Sequence, residues 1–182
     1  MKATLHFVAG KLASGKTTLA RRLASECDAI LISEDVWMRR LFQTPIADFR
    51  DYLDRSARFR DAIGPHVREL LRHGLSVVFD FGGNVPQERA WVRSLTETTT
   101  AQVVLHYLQA SDELCKRRLH KRNQELPEGA QLTTDEEFDE ITRYFVPPDS
   151  AEGFEMRHYD ADELARTSVA PPPNKGMHPT AN

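Results

Sequence analysis

Cysteine is almost absent from this chain of 182 residues; only Cys27 and Cys115 occur. Two thiols in no metal spacing exclude a disulfide scaffold, and both are expected to act as small apolar side chains in a reducing compartment. No run of 18 apolar residues exists, so no membrane-spanning helix is expected. The opening MKATLHFVAG is interrupted too early for a secretory signal, which makes a cytoplasmic location the default expectation. Positive charge is not in excess: 24 Lys and Arg face 27 Asp and Glu, a net charge of -3. That balance argues against bulk electrostatic attraction to nucleic acid. The seven histidines show no metal spacing. His6 and His106 fall in strand-like runs, where packing or hydrogen bonding is the expected role, and Trp37 and Trp91 are expected to pack. What is present suits one soluble domain with a real core, with 40% hydrophobic and 28% charged residues.

Short apolar runs alternate with helical stripes. TLHFVA (4–9), AILIS (29–33), LSVVFD (75–80), QVVLHYL (102–108) and FEMRHYD (154–160) read as strands. Between them, Leu19 and Leu23 share a stripe with Ala20 and Ala24, Glu34–Phe42 reads as helical, and 46–72 is a long helical region with an expected break near Gly64-Pro65. Pro86 opens a helix to about Thr98, Ser111 caps another to about Asn123, and Thr134–Phe145 begins a third that Pro147-Pro148 stops. The segment from Thr167 carries three consecutive prolines and reads as a disordered tail, dispensable for stability. Alternation at these intervals predicts an α/β fold with a parallel sheet and helices on both faces. Ligands bind such folds at the carboxyl ends of the strands. Gly10–Thr17, Ser33–Asp35 and Asp80–Asn84 all fall there.

Four segments carry chemistry. Gly10, Gly15, Lys16 and Thr17 complete G-x-x-x-x-G-K-[ST] between a strand and an amphipathic helix. Such a loop wraps backbone N–H groups around a phosphate chain. Lys16 supplies charge to the outer phosphates, Thr17 a hydroxyl to Mg²⁺, and the helix N-terminus faces the anion. Ala13, Ser14 and Thr18 complete the expected nucleotide contacts. Lys11 is bulky for a loop interior and is expected to point outward. In LISEDVWMRRLF, Asp35 lies two residues past a strand, where a carboxylate could take an acceptor hydroxyl's proton; the plain alternative is a carboxylate favoured at a helix N-terminus. VVFD ends in Asp80, a candidate Mg²⁺ residue beside Thr17. Asn84 and Arg89 are weaker candidates for substrate contact. In LCKRRLHKRN, Arg118 and Arg122 share a helix face suited to a lid over ATP, whereas Arg117 and Lys121 read as solvated.

A guanine-reading N-K-x-D and an LSGGQ-like signature are both missing, which leaves a small kinase or a near relative with ATP as donor. Together GKLASGKTTLARRLA, LISEDVWMRRLF, VVFDFGGNVPQER, RRLHKRN and FDEITRYFVPPDSAEGF resemble the AAA-type P-loop kinase-like proteins, close to polynucleotide 5′-hydroxyl kinases, zeta toxins and chloramphenicol phosphotransferases. The resemblance covers nearly all of residues 4–160. It implies a P-loop NTPase three-layer α/β/α sandwich over residues 1–166, with a helical lid at roughly 116–150, and it implies ATP with Mg²⁺. It implies Lys16 and Thr17 at the phosphates, Asp35 as acceptor-side base, and Arg118 and Arg122 in the lid. In the polynucleotide kinases an arginine three residues after the base binds the acceptor phosphate; here that position is Met38, with Arg39 one later. The expected function is therefore an ATP-dependent phosphotransferase with a small-molecule hydroxyl as acceptor. A nucleotide-binding regulator or slow ATPase is the alternative, and a polynucleotide kinase is less favoured.

Overall fold

Val77, Val78 and Phe79 are wholly buried in turn, and their side chains alternate between two separate cores. A strand buried on both faces needs helices on both, and the chain supplies them. The computed structural model describes residues 2–44, 46–126 and 132–168, with side chains excepted at Phe49 and 165–168. Five strands form one all-parallel sheet: β1 (Thr4–Ala9), β2 (Ile30–Ser33), β3 (Val77–Asp80), β4 (Gln102–Gln109) and β5 (Glu155–Asp160), in the order β2-β3-β1-β4-β5. The chain moves from β1 to one side of the sheet for β2 and β3, then to the other for β4 and β5. The ligand edge therefore lies at the end of central β1.

Seven α-helices are described: α1 (Lys16–Glu26), α2 (Glu34–Leu41), α3 (Phe49–Arg72), α4 (Pro86–Ser94), α5 (Asp112–Gln124), α6 (Asp135–Arg143) and α7 (Ala161–Ser168). One core joins Leu5, Phe7, Val77 and Phe79 to α3 and α4; the other joins Val8 and Val78 to Leu19, Leu23, Leu114, Leu119 and Phe138. These make the three layers that alternation predicted.

The expected break at Gly64-Pro65 is absent, and α3 runs through Pro65 without interruption. Phe59, Ile63, Val67 and Leu71 are buried at four-residue spacing. Burying each is worth roughly 1.5–3 kcal/mol, against about 3 kcal/mol for an internal proline, so the continuous helix wins. After Asp160, where the sequence reading named no element, α7 occupies Ala161–Ser168. Asp162 anchors its start by accepting from the Ser111 amide at 2.8 Å and hydroxyl at 2.6 Å. Of the tail expected from Thr167, residues 169–182 lie outside the described residues. Cys115 is buried as expected, but Cys27 is exposed at the end of α1, where no core reaches it.

His6 and His106 bear out their expected packing role. His6 Nδ1 lies 3.0 Å from His106 Nε2, and His106 Nδ1 lies 2.9 Å from Tyr159 Oη, linking β1, β4 and β5. Burial, then His6 and Arg157, hold His106 down to about 4; burial and Arg157 also lower His6, which Glu155 opposes. A histidine lowered on folding binds fewer protons in the native state, so its contribution is complete above its unfolded value near 6.5 and is lost as pH falls toward about 4. From His106 alone, stability should be about 2 kcal/mol lower at pH 5 than at pH 7. Urea titrations at both pH values would check this, and His106→Leu should flatten the difference. An equal slope in both proteins would refute the assignment.

Candidate functional site

The phosphate loop connects β1 to α1 at the centre of the sheet's carboxyl edge. Gly15 has φ +108° and Ala13 φ +58°, the left-handed turns that bring successive amides to one side. A Cβ at Gly10 would meet the Leu108 carbonyl at 2.6 Å, so only glycine allows the loop to lie this close to β4. Lys11 does turn outward, to an ion pair with Asp112 at 2.6 Å. The Ser14 hydroxyl is buried with no partner among the described residues. An orphaned buried hydroxyl in a turned loop fits an oxygen-rich ligand.

Lys16 donates to the carbonyls of Gly10 and Lys11, each at 2.8 Å. Desolvation lowers it to about 8, the fields of Asp80 and Asp35 pull it back up, and Arg122 pushes it down. Two carboxylates and an arginine from distant parts of the chain thus act on one ammonium group. Asp80 closes β3 beside Ser33, its cross-strand partner. Its Oδ2 accepts from Ser33 Oγ at 3.0 Å and its Oδ1 from Thr17 Oγ1 at 3.2 Å. Thr17, Ser33 and Asp80 therefore form a hard oxygen set of the type that suits Mg²⁺. Sequence reasoning placed Ser33 at the ligand edge with Glu34 and Asp35 but gave it no role; its pairing with Asp80 across two strands supplies one.

Asp35 lies exposed in the first turn of α2. Its neighbour Glu34 is the buried one. Glu34 accepts from the Ser56 hydroxyl of α3 and the Gly82 backbone, and burial raises its pKa despite these bonds and Arg60. Glu34 thus pins the start of α2 to α3 and to the loop after β3, and so sets where Asp35 stands. Sequence reasoning placed Glu34 only at the start of a helix on the ligand edge. Met38 is buried in the core, so no cation stands there.

From the other side, α5 brings Arg118 to the loop, where its Nη1 donates to the Ser14 carbonyl. Arg122, one turn later, is exposed, as are Arg117 and Lys121. Helix α6 packs onto α5 through buried Phe138 and the Lys116–Asp139 pair at 2.8 Å. Thr18 is exposed beside Thr17.

Arg89 corrects an expectation. It is wholly buried and makes a two-pronged pair with Glu152, at 2.7 Å through each prong. Its remaining donors reach the carbonyls of Gly83 at 3.0 Å and Val146 at 2.9 Å. Four of its five N–H donors are spent within the protein and the side chain is wholly buried, so Arg89 ties the loop after β3 to the segment after α6 rather than facing a substrate. Asn84 shares that role: its amide donates to Glu88 at 2.7 Å and its carbonyl accepts from Val146.

A family model described as an AAA domain matches residues 5–148. The chain belongs to this AAA domain family. The AAA domain's match runs from β1 past α6 and so includes the loop between β1 and α1, the start of α2, the end of β3 and α5, but not Glu152. Solved structures share the fold. A sugar kinase from Janibacter sp. HTCC2649 is 14% identical, with 92% of each chain covered and a TM-score of 0.62. Kti12 from Chaetomium thermophilum, in complex with ADP-AlF3, is 17% identical over 91% of this chain and 94% of that one, at 0.62. The shikimate kinase from Acinetobacter baumannii, in complex with shikimate, is 18% identical over 92% and 91%, at 0.53. No curated protein matches significantly. The AAA domain therefore has the P-loop NTPase architecture of kinase-like proteins. Among the described residues no helix is long and apolar enough to cross a membrane, and no group of three His, Cys, Asp or Glu could hold a metal ion.

Proposed function

We propose that this protein transfers the γ-phosphate of ATP to a hydroxyl group of a small molecule. The observation that carries the reading is the convergence on the loop between β1 and α1: Thr17 donates to Asp80 at the end of β3, Ser33 at the end of β2 donates to the same carboxylate, and Arg118 of α5 reaches the Ser14 carbonyl. A loop that only held a phosphate would not need a carboxylate on its acceptor side. ATP with Mg²⁺ supplies the phosphoryl group, whose bond to the bridging oxygen breaks as the acceptor oxygen bonds to phosphorus. The loop amides of Gly10–Thr18, including those of Ala13 and Ser14, bind the phosphate chain, and Lys16 offsets its outer charge. Thr17 and Asp80 would hold the metal, with Ser33 orienting Asp80. Asp35 takes the acceptor's proton. Arg118 and Arg122 belong to a lid over roughly 116–150 and stabilise charge on the group in transit. Buried Met38 and the net negative charge favour a small acceptor over a nucleic-acid end.

The test is incubation with labelled ATP and Mg²⁺ against aminoglycosides, chloramphenicol, nucleosides, sugars and 5′-hydroxyl oligonucleotides. A labelled small molecule is the expected product. ADP formation with none of them labelled would favour a slow ATPase or nucleotide-dependent regulator instead. Lys16→Ala should lower transfer by about 10²–10³-fold, as for loss of a single preorganised charge contact. Unchanged ATP affinity and turnover in that variant would overturn the phosphate-loop assignment.

A further inference from the structure

Val146 joins two parts of the molecule that lie far apart in the chain. Its amide donates to the Asn84 carbonyl at 2.8 Å, and its carbonyl accepts from Arg89 Nη1 at 2.9 Å. Both of its backbone polar groups are thus fastened to the loop after β3 and to α4. Immediately before it, the Phe145 amide donates to the Thr142 carbonyl at 3.0 Å and closes the last turn of α6. No residue of slack separates the helix from the tie. Phe145 is buried, and its ring lies 6.3 Å from that of Tyr107 in β4. The rest of α6 is fastened to α5. Phe138 shares a core with Leu114 and Leu119, Asn123 Nδ2 donates to the Thr133 carbonyl at 2.7 Å, and His120 pairs with Asp135 at 2.7 Å. Helix α5 in turn reaches the phosphate loop twice, through Arg118 on the Ser14 carbonyl and Asp112 on Lys11. An unbroken chain of contacts therefore runs from the phosphate loop through α5 and α6 to Val146 and the loop after β3.

We infer that these contacts form a strap that couples the two loops: a phosphate chain bound at Gly10–Thr18 shifts α5 and α6 together and, through Val146, holds Gly82–Asn84 more tightly. The inference rests on nucleotide binding by the phosphate loop, as read above, and on no assignment of the acceptor. The driving contact is Arg118. A guanidinium binds an anionic oxygen about twice as strongly as a neutral carbonyl, so a phosphate draws it from the Ser14 carbonyl and draws α5 with it. The responding element is the loop after β3. Gly82 and Gly83 have no side chains to place them, so their backbone goes where its ties put it. The Gly83 carbonyl accepts from Arg89, the Asn84 carbonyl from Val146, and the Gly82 backbone bonds Glu34. Glu34 starts α2 beside Asp35, so the strap carries the state of the phosphate loop to the carboxylate on the far side of β3. Such coupling is reciprocal: a group that fixes Gly82–Asn84 tightens nucleotide binding by the same factor.

The full chain is followed by hydrogen–deuterium exchange with and without a non-hydrolysable ATP analogue and Mg²⁺. Nucleotide should slow exchange at Gly10–Thr18 and, by tenfold or more, at Gly82–Val85. Two glycines inserted between Phe145 and Val146 keep the groups at both ends but give the strap slack, and a surface connection accepts such an insertion at small cost. In that variant the slowing at Gly10–Thr18 should persist while that at Gly82–Val85 falls below twofold. The same insertion between Pro148 and Asp149, beyond the tie, should behave as the parent. Val146→Pro, which removes the amide donor, should match the first insertion. Melting temperatures show which variants are folded. Slowing at Gly10–Thr18 with none at Gly82–Val85 in the unmodified protein would overturn the inference, whatever the variants do. So would a folded first insertion or Val146→Pro variant that keeps the full response, since nucleotide would then act on the loop after β3 directly. In these cases the nucleotide site stands. Absence of slowing at Gly10–Thr18 in the unmodified protein would overturn the nucleotide-binding reading itself.

Discussion

Asp35→Asn should lower phosphoryl transfer by about 10²–10⁴-fold, the range for loss of a positioned general base. ATP affinity should change by less than about threefold, because Asp35 touches the nucleotide side only through its field at Lys16. The change is nearly isosteric, and Asp35 is exposed, so the fold should be unaffected. The α2 start stays fixed by Glu34 on Ser56 and Gly82. Initial rates with a labelled acceptor, beside an ATP titration, separate the two effects. Transfer at the unmodified rate would remove Asp35 from the chemistry and leave it as a helix-end carboxylate. Parallel loss of transfer and ATP binding would place it on the nucleotide side.

Arg89→Met should destabilise the protein by about 3–5 kcal/mol, the cost of breaking a buried pair by removing one partner. The loss strands the Glu152 carboxylate and the carbonyls of Gly83 and Val146. Glu152 is held below the usual carboxylate range, first by its hydrogen bond from Arg89. A carboxylate lowered on folding stabilises above its unfolded value, and that stability is lost as pH falls through the folded one. The variant should therefore show less acid sensitivity than the parent as pH falls below the ordinary carboxylate range. Adding Glu152→Leu should recover part of the lost stability, since an apolar pair of similar volume is often no worse than the ion pair. Thermal and urea denaturation of both variants provide the measurement. A shift below about 1 kcal/mol in Arg89→Met would contradict the tie between the loop after β3 and the segment after α6.

Element type was legible wherever local pattern and tertiary demand agreed. Val77–Asp80 could only be a buried strand, and Lys16–Glu26 carried both the loop before it and the stripe within it. Pro65 misled because its cost is local, whereas the gain that overrides it comes from Phe59, Ile63, Val67 and Leu71 meeting a sheet built from distant residues. Arg89 misled for the same reason. Its position near a helix start pointed to an anion, and the anion proved to be Glu152, sixty-three residues away.

By itself the sequence determined the phosphate loop, because the glycines, Lys16 and Thr17 act through backbone geometry and a helix end that four adjacent turns of chain suffice to build. It determined the layered parallel architecture for a similar reason: strand and helix periods are properties of consecutive residues. Only the tertiary structure decided which charges are spent and which are available. Arg89 is consumed by Glu152, Lys11 is turned to Asp112, and Glu34 is buried so that Asp35 need not be. Charge compensation depends on neighbours brought together by folding, and distance along the chain carries no record of them.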